Sequence, residues 1–129
     1  MQKGDQFKST FVINTEIYEG FINSFKDRNP LHTDNDFAVK RGFNSIVMHG
    51  NILNGFLSYF VGEVLPLKNV IILDQSIKFP HPVYLNDALL FTAEIIDVFE
   101  SVGMIEFKFM FKNMSDTIVS SGEINIKTI

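Results

Sequence analysis

The sequence predicts an α+β fold in which one strongly curved antiparallel sheet wraps around a central helix. Three observations lead there. The segment from Gly50 to Leu65 is apolar along two adjacent helical rows and carries no charge before Glu63, so it calls for cover on most sides. One strand-like segment precedes it and a series of strand-like segments follows it. A flat sheet covers only one side of such a helix, so the sheet must curl around it.

Each element has a local reason. Phe7 to Asn14 reads as a first strand, rich in Phe, Thr, Val and Ile. Thr15 is the expected N-cap of a helix, with Glu16 and Glu19 beside the positive end of its dipole. Ile17, Tyr18, Phe21, Ile22 and Phe25 then recur at helical spacing. Pro30 ends any helix before it, because the residue preceding proline is pushed out of the α region. Asp27 to Asp36 should be an ordered loop or a short helical turn. In the central helix, Ile52, Phe56, Phe60 and Val64 form one row, and Leu53, Leu57, Val61 and Leu65 the next. Asn51, Gly55, Ser58 and Gly62 make a third stripe of small residues, where another backbone is expected to come close. Pro66 stops the helix.

The remainder is strand-like and expected to run as a meander. Val70 to Phe79 comes first, ended by Pro80-His81-Pro82. Ala88 to Phe99 follows, then a turn at Ser101-Val102-Gly103. From Ile105 to Lys112 the period of two is plain, with Ile105, Phe107, Phe109 and Phe111 on one face. Asn113 to Asp116 turns the chain into Ile118 to Lys127. There Ile118, Ile124 and Ile126 are assigned to one face, and Glu123, Asn125 and Lys127 to the other. One face of this sheet would remain half covered. A homodimer with sheets side by side, and a site near the shared boundary, would complete the structure.

A length of 129 residues suits one domain spanning 1–129. With 46% hydrophobic and 20% charged residues the chain should fold as an ordinary globule, and fourteen Phe without Trp make its core bulky. The formal net charge of -4 argues against nucleic acid as a partner. The lack of cysteine excludes disulfides, zinc-thiolate sites and cysteine nucleophiles. Met1 to Lys8 is polar and has no apolar run of the signal-peptide type. The longest uncharged stretch, Met48 to Gly62, is too short for a membrane span and contains glycines. A cytoplasmic location is the default expectation.

The chemistry concentrates in Asp27-Arg28-Asn29-Pro30-Leu31-His32 and in Val47-Met48-His49-Gly50-Asn51. Proline fixes its own φ and restricts Asn29, so Asp27 and His32 are held in a stiff arrangement. A carboxylate and an imidazole within reach of one water can activate it or return a proton to it. The plainer alternative is that Asp27 caps a turn and His32 packs. Gly50 opens the central helix, where backbone N–H groups lack internal partners and suit an oxygen that gains negative charge. Alternatively, Gly50 only relieves crowding. His49 either shapes the turn by a local hydrogen bond or touches a substrate. Ser58 either orients a substrate or is small because packing is tight. His81, between prolines, is expected at the surface or a strand edge, and Asn86-Asp87 reads as a turn. The Phe-rich strand from Phe107 to Phe111 is expected in the core, with one end available to line a pocket.

These residues carry a resemblance. Asp27-Arg28-Asn29-Pro30-Leu31-His32-Thr33-Asp34, Ala38, Phe43 and Val47-Met48-His49-Gly50 look like the hydratase signature of MaoC-like proteins, which include the (R)-specific enoyl-CoA hydratases and adopt the hotdog fold. The similarity continues through Ser58, Pro66, Gln75-Ser76-Ile77-Lys78-Phe79, Pro82-Val83-Tyr84, Asp87 and Leu89. The resemblance implies a single hotdog that adds water to a trans-2-enoyl thioester of coenzyme A or acyl carrier protein, or removes it. It implies Asp27 and His32 as the catalytic pair and the Gly50 N–H as partner of the thioester carbonyl. Asn29 would arrange the loop, and Ser58 and His49 would lie near the substrate. No metal or other cofactor is implied, and a dimer or dimer-based oligomer is. Related alternatives are a hotdog acyl-CoA thioesterase, which shares Gly50, and a non-catalytic acyl-thioester-binding protein. The chain departs from the family where Ser-Gly usually precedes the aspartate; here it is Phe25-Lys26. An altered bend before Asp27 and an acyl channel narrowed by Phe25 are the expected consequences. Asn51, where an apolar residue is common, implies a more polar pocket beside the oxyanion site.

Overall fold

The computed structural model describes all 129 residues. The chain runs through β1 (Gln6–Val12), α1 (Thr15–Phe25), α2 (Pro30–Thr33), α3 (Asn35–Lys40) and α4 (Asn51–Tyr59). It continues through β2 (Val70–Lys78), β3 (Ala88–Phe99), β4 (Met104–Lys112) and β5 (Ile118–Thr128). The central helix α4 widens at its end into a π-turn over Phe60–Val64, where the Leu65 N–H donates to the Phe60 carbonyl at 3.0 Å. Lys68 Nζ then caps the free carbonyls of Gly62, Glu63 and Leu65.

The cap of α1 is Asn14, not Thr15: the Asn14 side chain accepts from Ile17 N–H at 2.9 Å, and Thr15 is already helical. Asn is the better cap of the two, because its carbonyl reaches the N3 amide from an extended backbone. At the other end, Lys26 turns into the left-handed region (φ 65°, ψ 16°) and its N–H closes the helix on the Ile22 carbonyl. This is the position where the resembled family has glycine. The bend before Asp27 is therefore kept, at the cost of backbone strain in a residue with a Cβ.

All strand pairs are antiparallel and their order is β1-β3-β4-β5-β2. Only β3, β4 and β5 form a meander. β2 does not pair with β3; it lies on the far edge, beside β5. Residues 79–87, which include Pro80 and Pro82, carry the chain across to the opposite side. The pairing of β5 with β2 is close: a Cβ on Gly122 would overlap the Ser76 carbonyl oxygen.

The concave side of the sheet holds α4. Ile52, Leu53, Phe56, Leu57, Phe60 and Val61 are buried against Phe11, Phe91, Phe107, Phe111 and Ile124. Phe11 stacks on Phe56 with centroids 4.5 Å apart, and Phe60 meets Phe107 edge to face at 5.5 Å. The four apolar residues of β4 are all buried, as their alternation predicted.

Two assignments change. The small-residue stripe of Asn51, Gly55, Ser58 and Gly62 faces outward, and no atom comes within 4 Å of where a Cβ on Gly55 or Gly62 would lie. The helix is covered along its apolar rows and open along this stripe. Ile118 is exposed instead of sharing a face with buried Ile124 and Ile126, because the pairing shifts register between Phe111 and Lys112. That irregularity reverses the alternation and turns Val119 inward. At the outer edge, Ile71, Ile72 and Leu73 of β2 are 44%, 38% and 46% exposed, beside a bulge between Ile72 and Asp74.

Candidate active site

The loop after α1 is built by short-range hydrogen bonds. Asp27 Oδ1 accepts from the Asn29 N–H at 3.1 Å, and Asn29 Oδ1 accepts from the Leu31 N–H at 3.0 Å. Asn29 thereby caps α2, whose first residue is Pro30, a position where the missing amide costs nothing. The other carboxylate oxygen of Asp27 has no partner within the chain and the residue is exposed. α2 delivers His32 back toward Asp27. The Tyr18 hydroxyl donates to the His32 carbonyl, and burial, followed by the charge of Glu19, raises its pKa.

His32 is oriented by the segment before α4. Its Nδ1 lies 2.7 Å from the Val47 carbonyl, which only accepts, so Nδ1 carries the proton. Nε2 is left with the lone pair when the ring is neutral. Val47 also donates its N–H to the Leu31 carbonyl at 3.0 Å, and Met48 donates to Val83 at 2.8 Å. The histidine is thus clamped between its own loop and the start of the central helix.

His49 ties these parts together. It is 3% exposed, its Nε2–H donates to the Asp27 backbone carbonyl at 2.9 Å, and its Nδ1 is buried without a partner. Its ring stacks on His32 at 4.0 Å and lies 4.6 Å from Phe21. Burial pushes the His49 pKa down, with the His32 charge adding to that; its bond to the Asp27 carbonyl and the Asp27 charge oppose it. The His49 side chain makes no local hydrogen bond: its one bond reaches back 22 residues to the Asp27 carbonyl and ties the helix start to the loop, and the residue also lines a cleft.

Gly50 has ordinary helical angles (φ -56°, ψ -36°), so it is not needed for a special backbone conformation. Its role is room: a Cβ would sit 3.0 to 3.2 Å from ring carbons of Phe79. Its N–H has no partner within the chain. Two clefts open near the helix start, and Gly50 lines the first. One, of about 520 Å³, is lined by His32, His49, Gly50, Phe43, Phe79 and His81 among others. The second, of about 840 Å³, lies between α1 and α4 and is lined by Phe21, Phe25, Asp27, Ile52 and Phe56 among others. Asp27 opens on one cleft and His32 on the other; Asn51 lines both.

The predicted residues therefore gather, with one exception. Donor atoms of Asp27, His32 and His49 all lie within 4.8 Å of one another, a span one water bridges. The same trio does not suit a metal ion. His49 commits its Nε2 proton to a carbonyl, its Nδ1 is sealed in, and the stacked rings cannot aim in-plane lone pairs at one centre. Ser58 is the exception: it sits on the exposed stripe of α4 and lines neither cleft. Phe25 does not plug a channel; it is 70% exposed and packs on Phe21 at the cleft rim. Tyr18 and Phe79 are site residues that no sequence pattern marks. Tyr18 looks like one more apolar-face residue of α1, and nothing local marks its hydroxyl. Phe79 is the residue opposite a helix-opening glycine, a pairing only the fold reveals.

Comparison with known proteins agrees with this fold. A MaoC-like domain family matches residues 10–115. The mitochondrial 3-hydroxyacyl-[acyl-carrier-protein] dehydratase of Arabidopsis thaliana is 29% identical over 126 residues, covering 95% of this chain and 75% of that protein. The (R)-specific enoyl-CoA hydratase of Aeromonas caviae is 40% identical over 70 residues, 54% of this chain and 51% of that protein. The solved (R)-hydratase from A. caviae involved in PHA biosynthesis superposes with a TM-score of 0.91 at 25% identity, covering 100% of this chain and 98% of that one. The fold is the hotdog, and the match spans the loop, the helix start and most of the sheet. The chain belongs to the MaoC-like domain family and, with it, to the hydro-lyases.

Proposed function

We propose that the protein is an (R)-specific enoyl-thioester hydratase, equally a 3-hydroxyacyl-thioester dehydratase, acting on acyl groups carried by coenzyme A or acyl carrier protein. The observation that carries this reading is the single-water gap between Asp27 and His32 beside an unpartnered Gly50 N–H. In hydration the water oxygen adds to C3 of the enoyl group. The Asp27–His32 pair takes a proton from that water and gives one to C2, so no proton is gained or lost. The Gly50 N–H, at the mouth of a helix, stabilises the thioester oxygen as it gains charge. Asn29 holds the loop, and His49 holds the pair in register. No cofactor enters the scheme. Both directions use the same groups.

A homodimer belongs to the same reading. Three consecutive aliphatic residues are exposed on the β2 edge, and the small stripe of α4 is open beside them. A second copy paired along β2 covers both. The clefts that share Asn51 then lie near the boundary between copies.

The test is loss of the ultraviolet absorbance of the conjugated enoyl thioester on mixing with crotonyl-CoA and longer enoyl thioesters. Asp27→Asn and His32→Ala should each lower turnover by ~10²-fold or more with folding unchanged. Release of free thiol without hydration identifies a thioesterase and refutes the proposal. Silence toward both CoA and carrier-protein substrates also refutes it.

A further inference from the structure

Two clefts meet at the start of α4, and one residue is common to both. Asn51 lines the Asp27 cleft and the His32 cleft. Its carboxamide is held by a ladder that reaches the sheet edge. Gln75 Nε2 on β2 donates to Asn54 Oδ1, and Asn54 Nδ2 donates to Asn51 Oδ1 at 2.9 Å. The ladder runs in one direction. It engages the oxygen of Asn51 and leaves its NH2 group without a partner in the chain. A substrate that presents its reacting carbons to Asp27 and His32 at once must lie across this junction. Its thioester oxygen, an acceptor only, then passes the first residues of α4.

We infer that the Asn51 side-chain NH2 is a second donor to the thioester oxygen, beside the Gly50 N–H, and that Asn54 and Gln75 are positioning residues that keep it a donor. This rests on the enoyl-thioester reading above. Two donors from adjacent residues share the charge that one would carry alone. The carboxamide has to face the substrate nitrogen first, and a free Asn at an exposed helix start has no preference between its two ends. The ladder supplies that preference from outside the site.

The direction of the ladder makes the inference testable at a distance. Gln75→Glu replaces the donor with an acceptor of the same shape. Asn54 must then donate to Glu, its oxygen must accept from Asn51, and the Asn51 oxygen is left facing the substrate. Gln75→Leu only releases the ladder. The expected order of kcat is wild type, then Gln75→Leu, then Gln75→Glu, with Asn51→Ala and Asn51→Asp lowest at ~10²-fold below wild type and KM changed less. A merely structural ladder predicts instead that Gln75→Leu is at least as harmful as Gln75→Glu. Ser76→Glu, on the neighbouring position of the same strand, controls for added charge. The carbonyl stretch of bound enoyl-CoA supplies a readout independent of turnover: its shift to lower frequency should shrink in Asn51→Ala and in Gln75→Glu. An active wild type with unaffected variants and an unmoved carbonyl band overturns this inference and leaves the hydratase reading standing. An inactive wild type whose bound carbonyl band still depends on Asn51 overturns the hydratase reading and supports the donor. A protein that neither binds nor turns over enoyl thioesters overturns both.

Discussion

Lys26→Gly should make the protein more stable while leaving its chemistry intact. Lys26 holds φ at 65° and ψ at 16°, the left-handed cap that ends α1 one residue before Asp27. For an L-residue with a Cβ this conformation costs about 1–2 kcal/mol. Glycine removes that strain but gives back roughly 0.5–1 kcal/mol through the greater freedom of the unfolded chain. The net expectation is a gain centred on about 0.75 kcal/mol, within a range of roughly 0–1.5 kcal/mol. Nothing else is lost, since the Lys26 side chain forms neither an ion pair nor a hydrogen bond within the chain. The capping N–H to the Ile22 carbonyl survives in glycine. With an unfolding entropy of about 2.1 cal/mol/K per residue, the midpoint should rise by roughly 2–4 °C. Thermal unfolding of wild type, Lys26→Gly and Lys26→Ala measures it, with alanine expected near wild type because it keeps the strain. A glycine variant less stable than wild type would show that the left-handed turn carries less strain than the added freedom of the unfolded chain, and the argument fails.

Gly50→Ala should cut hydration by ~10²-fold, because the new methyl meets Phe79 and displaces the helix start; adding Phe79→Leu should recover part of the loss, and full activity in Gly50→Ala alone contradicts the role given to its amide. His49 has a pKa below its ordinary value near 6.5, so as pH falls through that value the unfolded chain binds a proton that the folded chain refuses. Stability should therefore drop as pH falls below about 6.5 and continue to drop until the lowered folded value is reached. His49→Gln, which keeps a donor for the Asp27 carbonyl, should flatten that part of the stability curve between pH 7 and pH 5.5 (roughly one unit below the ordinary value), and an unchanged slope refutes the assignment. Leu57→Ala, at a fully buried position facing the sheet, should cost about 2–5 kcal/mol in chemical denaturation without changing the loop chemistry.

Much of this architecture is legible in the sequence because its causes are local. The rows of α4 and the alternation Ile105, Phe107, Phe109, Phe111 state which faces are inward. The loop from Asp27 to His32 is written in turn chemistry: an Asx contact, a cap and a proline at the first helical position. What stays hidden is non-local. The place of β2 on the far edge follows from how nine intervening residues cross the sheet, not from any pattern inside the strand. The exposure of Ile118 depends on a register shift against β4. The bond from His49 to the Asp27 carbonyl joins residues that are far apart in sequence, and the Gln75–Asn54–Asn51 ladder crosses from strand to helix. A departure from a family pattern can also mislead in sign. Phe25-Lys26 reads as a threat to the loop, yet the backbone simply accepts lysine where glycine is easier.

An unpaired outer strand bearing Ile71, Ile72 and Leu73 is open to foreign strands as well as to its own copy. With the homodimer proposed above, the hazard falls in the interval between synthesis and pairing, when each chain is alone. Slow production at low temperature should therefore improve recovery, and dilution meant to yield single chains should yield precipitate first. A lysine in place of Leu73 would protect the lone chain and, by the same act, hinder it from finding its double.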